Sequence, residues 1–162
     1  MAIPARQRIQ SFLDYLKFER RYSLHTLTSY TTDLIDFFDY LESHFDIVDV
    51  KAINSGFIRS WLAGLKEKGL TSKSVNRKIS SLKSFFKYLL KTGEIENSPM
   101  SSVISPKISK RLPVFMKEED TKKLVVALNQ SADDWKSLNK KMLITIFYAT
   151  GMRLSELINL KE

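Results

Sequence analysis

Apolar residues recur at steps of three and four along most of this chain, and strand-like alternation is nearly absent, so the pattern predicts an all-α fold. Ile9, Phe12, Leu13 and Leu16 form one stripe of a first helix over about residues 4–20. Pro4 suits its opening turn, where a missing N–H costs nothing. Ser23 has the chemistry of an N-cap for a second helix to about residue 41, with Leu24, Leu27, Tyr30, Leu34, Phe37, Phe38 and Leu41 on one side. Residues 46–51 read as a connector. Asn54 or Ser55 opens a third helix carrying Phe57, Ile58, Trp61, Leu62 and Leu65 and stopping at Gly69. Ser72 opens a fourth, which runs to Lys91 before Gly93.

Residues 96–113 carry three prolines and five serines and no helical stripe, the composition of an interdomain linker. Helical pattern returns over residues 117–128 and 134–149, breaks at Thr150-Gly151, and resumes for a turn or two from Met152. The expected organisation is a helical domain over 1–104, a linker over 105–116 and the opening of a second domain over 117–162. Leu138, Met142, Leu143, Ile144, Ile146, Phe147 and Tyr148 make the 136–149 helix apolar nearly all round, which predicts burial on several sides. So short a second segment buries too little surface to supply those sides. The expectation is therefore a chain cut inside its second domain, or a partner that covers the exposed face.

Charge changes the picture. The 162 residues hold 26 Lys+Arg against 18 Asp+Glu, a formal +8. Residues 66–111 hold 11 basic side chains and three acids, which is the whole excess. Such concentration points to a polyanion or to a solvated lysine face. On the fourth helix, Val75, Ile79, Leu82, Phe86, Leu89 and Leu90 fall within about 60° of one another's centre, with Phe85 beside them. Lys73, Asn76, Arg77, Ser80, Lys83, Ser84, Lys87 and Lys91 lie opposite, and no acid occurs in the helix. A merely solvated helix usually mixes signs, because i,i+4 pairs stabilise it. A groove-entering helix instead needs cations for phosphates and short polar groups for base edges. Lys73, Arg77, Lys83 and Lys87 are candidates for the first role, and Ser74, Asn76 and Ser80 for close approach. On the second helix the polar first turns, His25, Thr26 and Ser29, suit DNA, whereas Asp33, Asp36, Asp39 and Glu42 would repel it. His25 and His44 have no partners for a metal site. Zero cysteines exclude a disulfide scaffold and a thiolate centre. No apolar run reaches the roughly 20 residues that span a bilayer, and no signal peptide is visible.

The most specific segment is YATGMRLSELINL, residues 148–160. Locally it reads as a helix end at Thr150-Gly151 and a new helix starting near Arg153. A guanidinium so placed suits a two-pronged phosphate contact, or else an ion pair with Glu156 three residues on. ATGMRLSEL resembles the first-arginine motif of the tyrosine recombinases, the phage integrase and Xer-type family. SLHTLTSYTTDLIDFFDYL resembles that family's second core-binding helix, KSVNRKISSLKSFFKYLLKTGEIENSP its fourth helix and exit, and SPKISKRLPVFMKEED its linker.

The resemblance is to a Xer-like or bacterial integrase-like member without an arm-binding domain. It implies a four-helix SAM-like core-binding domain, a linker and the first helices of a catalytic domain. Family members cut and rejoin DNA through a 3′-phosphotyrosine link, with arginines stabilising the transition state and no metal or other cofactor. Arg153 would be the first of these arginines, with Glu156 buttressing it. The partner would be double-stranded DNA, held in a C-shaped clamp by a homo- or hetero-oligomer, a tetramer, in the cytoplasm at the nucleoid. The nucleophile would lie downstream, and Tyr148 reads as core, so this chain alone is expected to bind DNA weakly and cleave nothing. Two other readings stay open: a non-enzymatic helical DNA-binding protein, and a protein-interaction module docking through its 138–148 face.

Overall fold

A computed structural model describes residues 5–47, 49–108, 115–130 and 134–160. Every regular element among them is helical: α1 (Ala5–Asp14), continued by a π-turn (Tyr15–Glu19), α2 (Leu24–Phe45), a 3₁₀ turn (Val50–Ala52), α3 (Ser55–Glu67), α4 (Ser72–Lys91), α5 (Glu118–Asn129), α6 (Trp135–Thr150) and α7 (Leu154–Ile158). They divide into two compact units, Met1–Lys110 and Arg111–Glu162.

The caps explain the starts in the first unit. Ser23 Oγ accepts from the Thr26 N–H at 3.3 Å, and Asn54 Oδ1 accepts from the Gly56 and Phe57 N–H groups at 2.8 and 3.3 Å. The fourth helix is capped by Thr71, whose Oγ1 accepts from the Ser74 N–H at 3.3 Å, not by Ser72. The second helix runs four residues beyond its expected end at 41, to Phe45, and closes on Asp46 at φ 53°. Gly69 follows α3 at φ 80°, a conformation glycine adopts without steric cost.

The core of this unit is aromatic. Phe12, Phe37, Phe85 and Phe86 are fully buried together with Leu16, Leu34, Leu41, Ile58, Leu82 and Leu89. Phe12 meets Phe85 edge-on with ring centroids 5.4 Å apart, and Phe37 meets Trp61 at 5.1 Å. Two stripe positions fail. Leu24, the first residue of α2, is 74% exposed, and Leu90 is exposed at the far end of α4. A stripe buries a side chain only where another element lies over it, and these two occupy helix ends.

Over residues 96–108 the chain packs in a way that its linker composition does not announce. Met100 and Val103 are buried against the core, and Asn76 Nδ2 donates to the Pro106 carbonyl at 2.9 Å. Proline breaks a helix and serine disfavours one, but neither prevents packing. Buried Arg8 ties the segment after the C-terminus of α4 to the 3₁₀ turn region, its Nε donating to Glu94 Oε2 at 2.6 Å and its Nη1 to Asp49 Oδ1 at 3.4 Å.

In the second unit, Asp134 Oδ1 caps α6 by accepting from the Ser137 N–H at 2.9 Å. Gly151, at φ 63°, ends that helix by donating its N–H to the Phe147 carbonyl at 3.0 Å. Leu157 is the one buried apolar side chain among this unit's described residues. Trp135, Leu138, Met142, Leu143 and Phe147 are exposed, and Tyr148, expected in a core, is 74% exposed. The reason is lack of cover: α6 packs chiefly against α5 and α7, and neither lies over its Tyr148 side.

Candidate nucleic-acid interface

The outer face of α4 is built by its own amphipathicity. Burying Val75, Ile79, Leu82, Phe85, Phe86 and Leu89 turns Lys73, Ser80, Lys83 and Lys87 to solvent. None of Lys73, Lys83 and Lys87 forms an ion pair with a described residue. From Lys73 to Lys87 the helix rises about 21 Å, the length of about six base pairs. Ser80 Oγ donates to the Asn76 carbonyl at 2.9 Å, and Ser74 belongs to the Thr71 cap, its Oγ 3.1 Å from Thr71 Oγ1.

The start of α2 supplies the second patch. Lys78 meets both Asp33 and Asp36, Ser81 meets Asp33, and Arg77 meets Asp33 and the Ser29 carbonyl, so the 29–36 stretch of α2 crosses α4 over residues 77–81. His25 is exposed, while Thr26 and Ser29 are half-buried. Thr26 Oγ1 lies 3.0 Å from Ser23 Oγ. The expected contacts are thus brought onto neighbouring helices that cross at Arg77, Lys78 and Ser81.

Two expected contacts are already engaged. Asn76 holds Pro106, and its Oδ1 is buried without a hydrogen-bond partner. Arg77 Nη1 donates to Asp33 Oδ2 at 2.7 Å. Asp33 is fully buried, and Lys78 Nζ lies 3.1 Å from its Oδ1, close enough for charge pairing though not aligned for a hydrogen bond. Lys78 also donates to Asp36 Oδ2 at 2.6 Å and sits over the Trp61 ring, 5.6 Å from its centroid. Asp33 and Asp36 therefore do not face DNA as bare acids; α4 neutralises them. A helical wheel of α4 leaves Lys78 at the edge of the apolar stripe. Only its distance from charge on the outer face hints at an internal duty.

In the second unit Arg153 stands at the start of α7. Its N–H donates to Glu156 Oε2 at 2.8 Å and its Nη1 to Oε1 at 2.9 Å. These two bonds, the backbone one first, hold the Glu156 carboxyl below the usual carboxylate range. The Arg153 side chain is 83% exposed, so its guanidinium is oriented yet open. The ion pair and the buttress expected from sequence are one contact. Among the described residues no three His, Cys, Asp or Glu side chains gather as a metal site. No described helix is long and apolar enough to cross a membrane.

The family described as phage integrase, N-terminal SAM-like domain, matches residues 9–93, just over half of the chain. Tyrosine recombinase XerC of Staphylococcus aureus (strain MSSA476) is 37% identical over 153 residues, covering 94% of this chain and 50% of that protein. Among solved structures, a lambda integrase dimer bound to a COC′ core site shares the fold with a TM-score of 0.68 at 18% identity, over 99% of this chain and 42% of that one. The XerH site-specific recombinase bound to difH substrate, a pre-cleavage complex, gives 0.59 at 21% identity, over 94% and 46%. The chain spans about half the length of the curated relatives it matches. An all-helical bundle with this core and this match over α1–α4 belongs to the phage integrase, or tyrosine recombinase, family, as its N-terminal SAM-like domain.

Proposed function

We propose that this chain is the DNA-clamping part of a site-specific tyrosine recombinase. The observation that carries the reading is the outer row of α4: Lys73, Lys83 and Lys87, exposed, without acid partners, on a helix that contains no acid. The row lies against double-stranded DNA, with His25, Thr26 and Ser29 of α2 approaching the same groove. Ser74 and Ser80, with hydroxyls already hydrogen-bonded locally, offer short side chains that let the backbone come close.

In the longer protein Arg153 is the catalytic arginine that meets the scissile phosphate, and Glu156 fixes it. A guanidinium already oriented spends little on reorganisation when charge develops on the phosphoryl oxygens. A downstream tyrosine attacks, giving the 3′-phosphotyrosine intermediate, and copies of the protein or of a relative act together as a tetramer on DNA at the nucleoid. The 162-residue chain binds without cutting.

Titration against a random duplex at several salt concentrations tests this. With three lysines on phosphates, log affinity should fall against log salt with a slope of about −3, and replacing Lys73, Lys83 and Lys87 with Ala should flatten it. A slope near zero in the unaltered chain sinks the reading. Incubation with a nicked duplex should give no covalent protein–DNA product; such a product would overturn the division of labour.

A further inference from the structure

Arg77 sits on the outer half of α4, among the groups expected to meet DNA, yet its guanidinium turns sideways onto another helix. Nη1 donates to Asp33 Oδ2 at 2.7 Å and to the Ser29 carbonyl at 3.4 Å, so it grips α2 on two successive turns. Ser81 Oγ donates to the same Asp33 oxygen at 3.2 Å, while Lys78 takes the other. The Asp33 carboxylate is thereby held at Oδ2 by two hydrogen bonds and at Oδ1 by the charge of Lys78 alone. Charge buried without compensation is costly. Were Arg77 to leave for a phosphate, Asp33 would keep a single cation, already shared with Asp36. The two N–H groups of the one Nη1 nitrogen, a fork fixed in the guanidinium plane, reach the carboxylate and the carbonyl together; the freely rotating ammonium of lysine, on a shorter arm, does not reproduce that reach.

We propose, resting on the DNA-binding reading above, that Arg77 is a positioning residue. It locks the start of α2, with His25, Thr26 and Ser29, in register against the basic row of α4, so that both helices present to one duplex. It neutralises no phosphate itself.

The test compares the full chain with Arg77→Ala, Arg77→Lys and Lys83→Ala. Each binds a random-sequence duplex over a range of salt, at a temperature where circular dichroism shows it fully folded. Lys83→Ala should reduce the salt slope by about one. Arg77→Ala should weaken binding about tenfold at every salt, the weight of a few misplaced contacts, with the slope unchanged. Arg77→Lys, which keeps the charge and loses the fork, should weaken binding by a similar factor, and it carries the test alone if Arg77→Ala fails to fold. A slope reduced by about one in Arg77→Ala and restored with full affinity in Arg77→Lys would make Arg77 a phosphate contact. Unchanged affinity in both folded variants would leave it a structural brace only. Either result overturns the proposal while the lysine effect keeps the DNA reading intact. A folded, unaltered chain that binds no duplex sinks the reading, and the proposal with it.

Discussion

The two units use the same local grammar and reach different ends. Asn54 caps α3 and Asp134 caps α6 with the same side-chain-to-backbone bond, and Gly69 and Gly151 both follow a helix at positive φ. Yet the first unit closes over four fully buried phenylalanines, while α6 leaves Trp135, Leu138, Met142, Leu143, Phe147 and Tyr148 in the open. Capping and periodicity decide where helices begin and end. Whether they become a core depends on how much apolar surface lies opposite, and here that separates the units.

The widest test of this contrast is a matched pair of truncations. Phe85→Ala should cost about 3–5 kcal/mol in urea unfolding, because it empties a closed core. Phe147→Ala, on the uncovered face, should stay within about 0.5 kcal/mol. Equal costs would mean that α6 is covered in solution. A smaller step is Asp33→Ala, expected to destabilise by about 3 kcal/mol. That is the low end for a broken buried pair, since Lys78 retains Asp36 and Arg77 regains water. Arg153→Ala, by contrast, should leave the unfolding midpoint where it is; a shift would place the Arg153–Glu156 pair in the same class as the buried one. Asn54→Ala should cost about 1 kcal/mol through its lost cap.

The smallest effect is one of pH. Hydrogen bonds from Ser137 and from Arg153 hold Asp134 and Glu156 below their ordinary values of 3.8 and 4.5. A depressed carboxyl stabilises the fold fully above its unfolded value and loses that contribution as pH falls through the folded one. Helicity of the second unit should therefore decline on acidification below about pH 4, and Asp134→Asn should blunt the decline. An unchanged pH profile in Asp134→Asn would remove that cap from the account.

Much of this was legible in the sequence, and the failures have physical causes. Ser23 announces the second helix, and Asn54 or Ser55 the third, because a short polar side chain before an apolar stripe has few other uses; the structure caps the third with Asn54. Thr71 and Ser72 share that chemistry, so the fourth cap slips by one. The outer lysines of α4 follow from helical geometry alone. The internal use of Arg77 and Lys78 does not, since Asp33 lies more than forty residues away and a wheel describes one helix at a time. The SAM-like bundle follows from the resemblance and its match over 9–93. Proline- and serine-rich composition identified the absence of helix after Glu96, but it cannot report that Met100 and Val103 are buried.

That packed exit has a mechanical consequence. The chain leaving α4 at Lys91 is tied back by Met100, Val103 and the Asn76–Pro106 hydrogen bond, which closes residues 76–106 into a loop. Tension applied beyond Pro106 is delivered first to Asn76, in the N-terminal half of α4, and reaches the helix's C-terminal end only after that tie and the buried Val103 and Met100 have given way. The load thus enters the helix beside Lys73 and Arg77, so a pull on the exit acts directly on the element that carries the basic row.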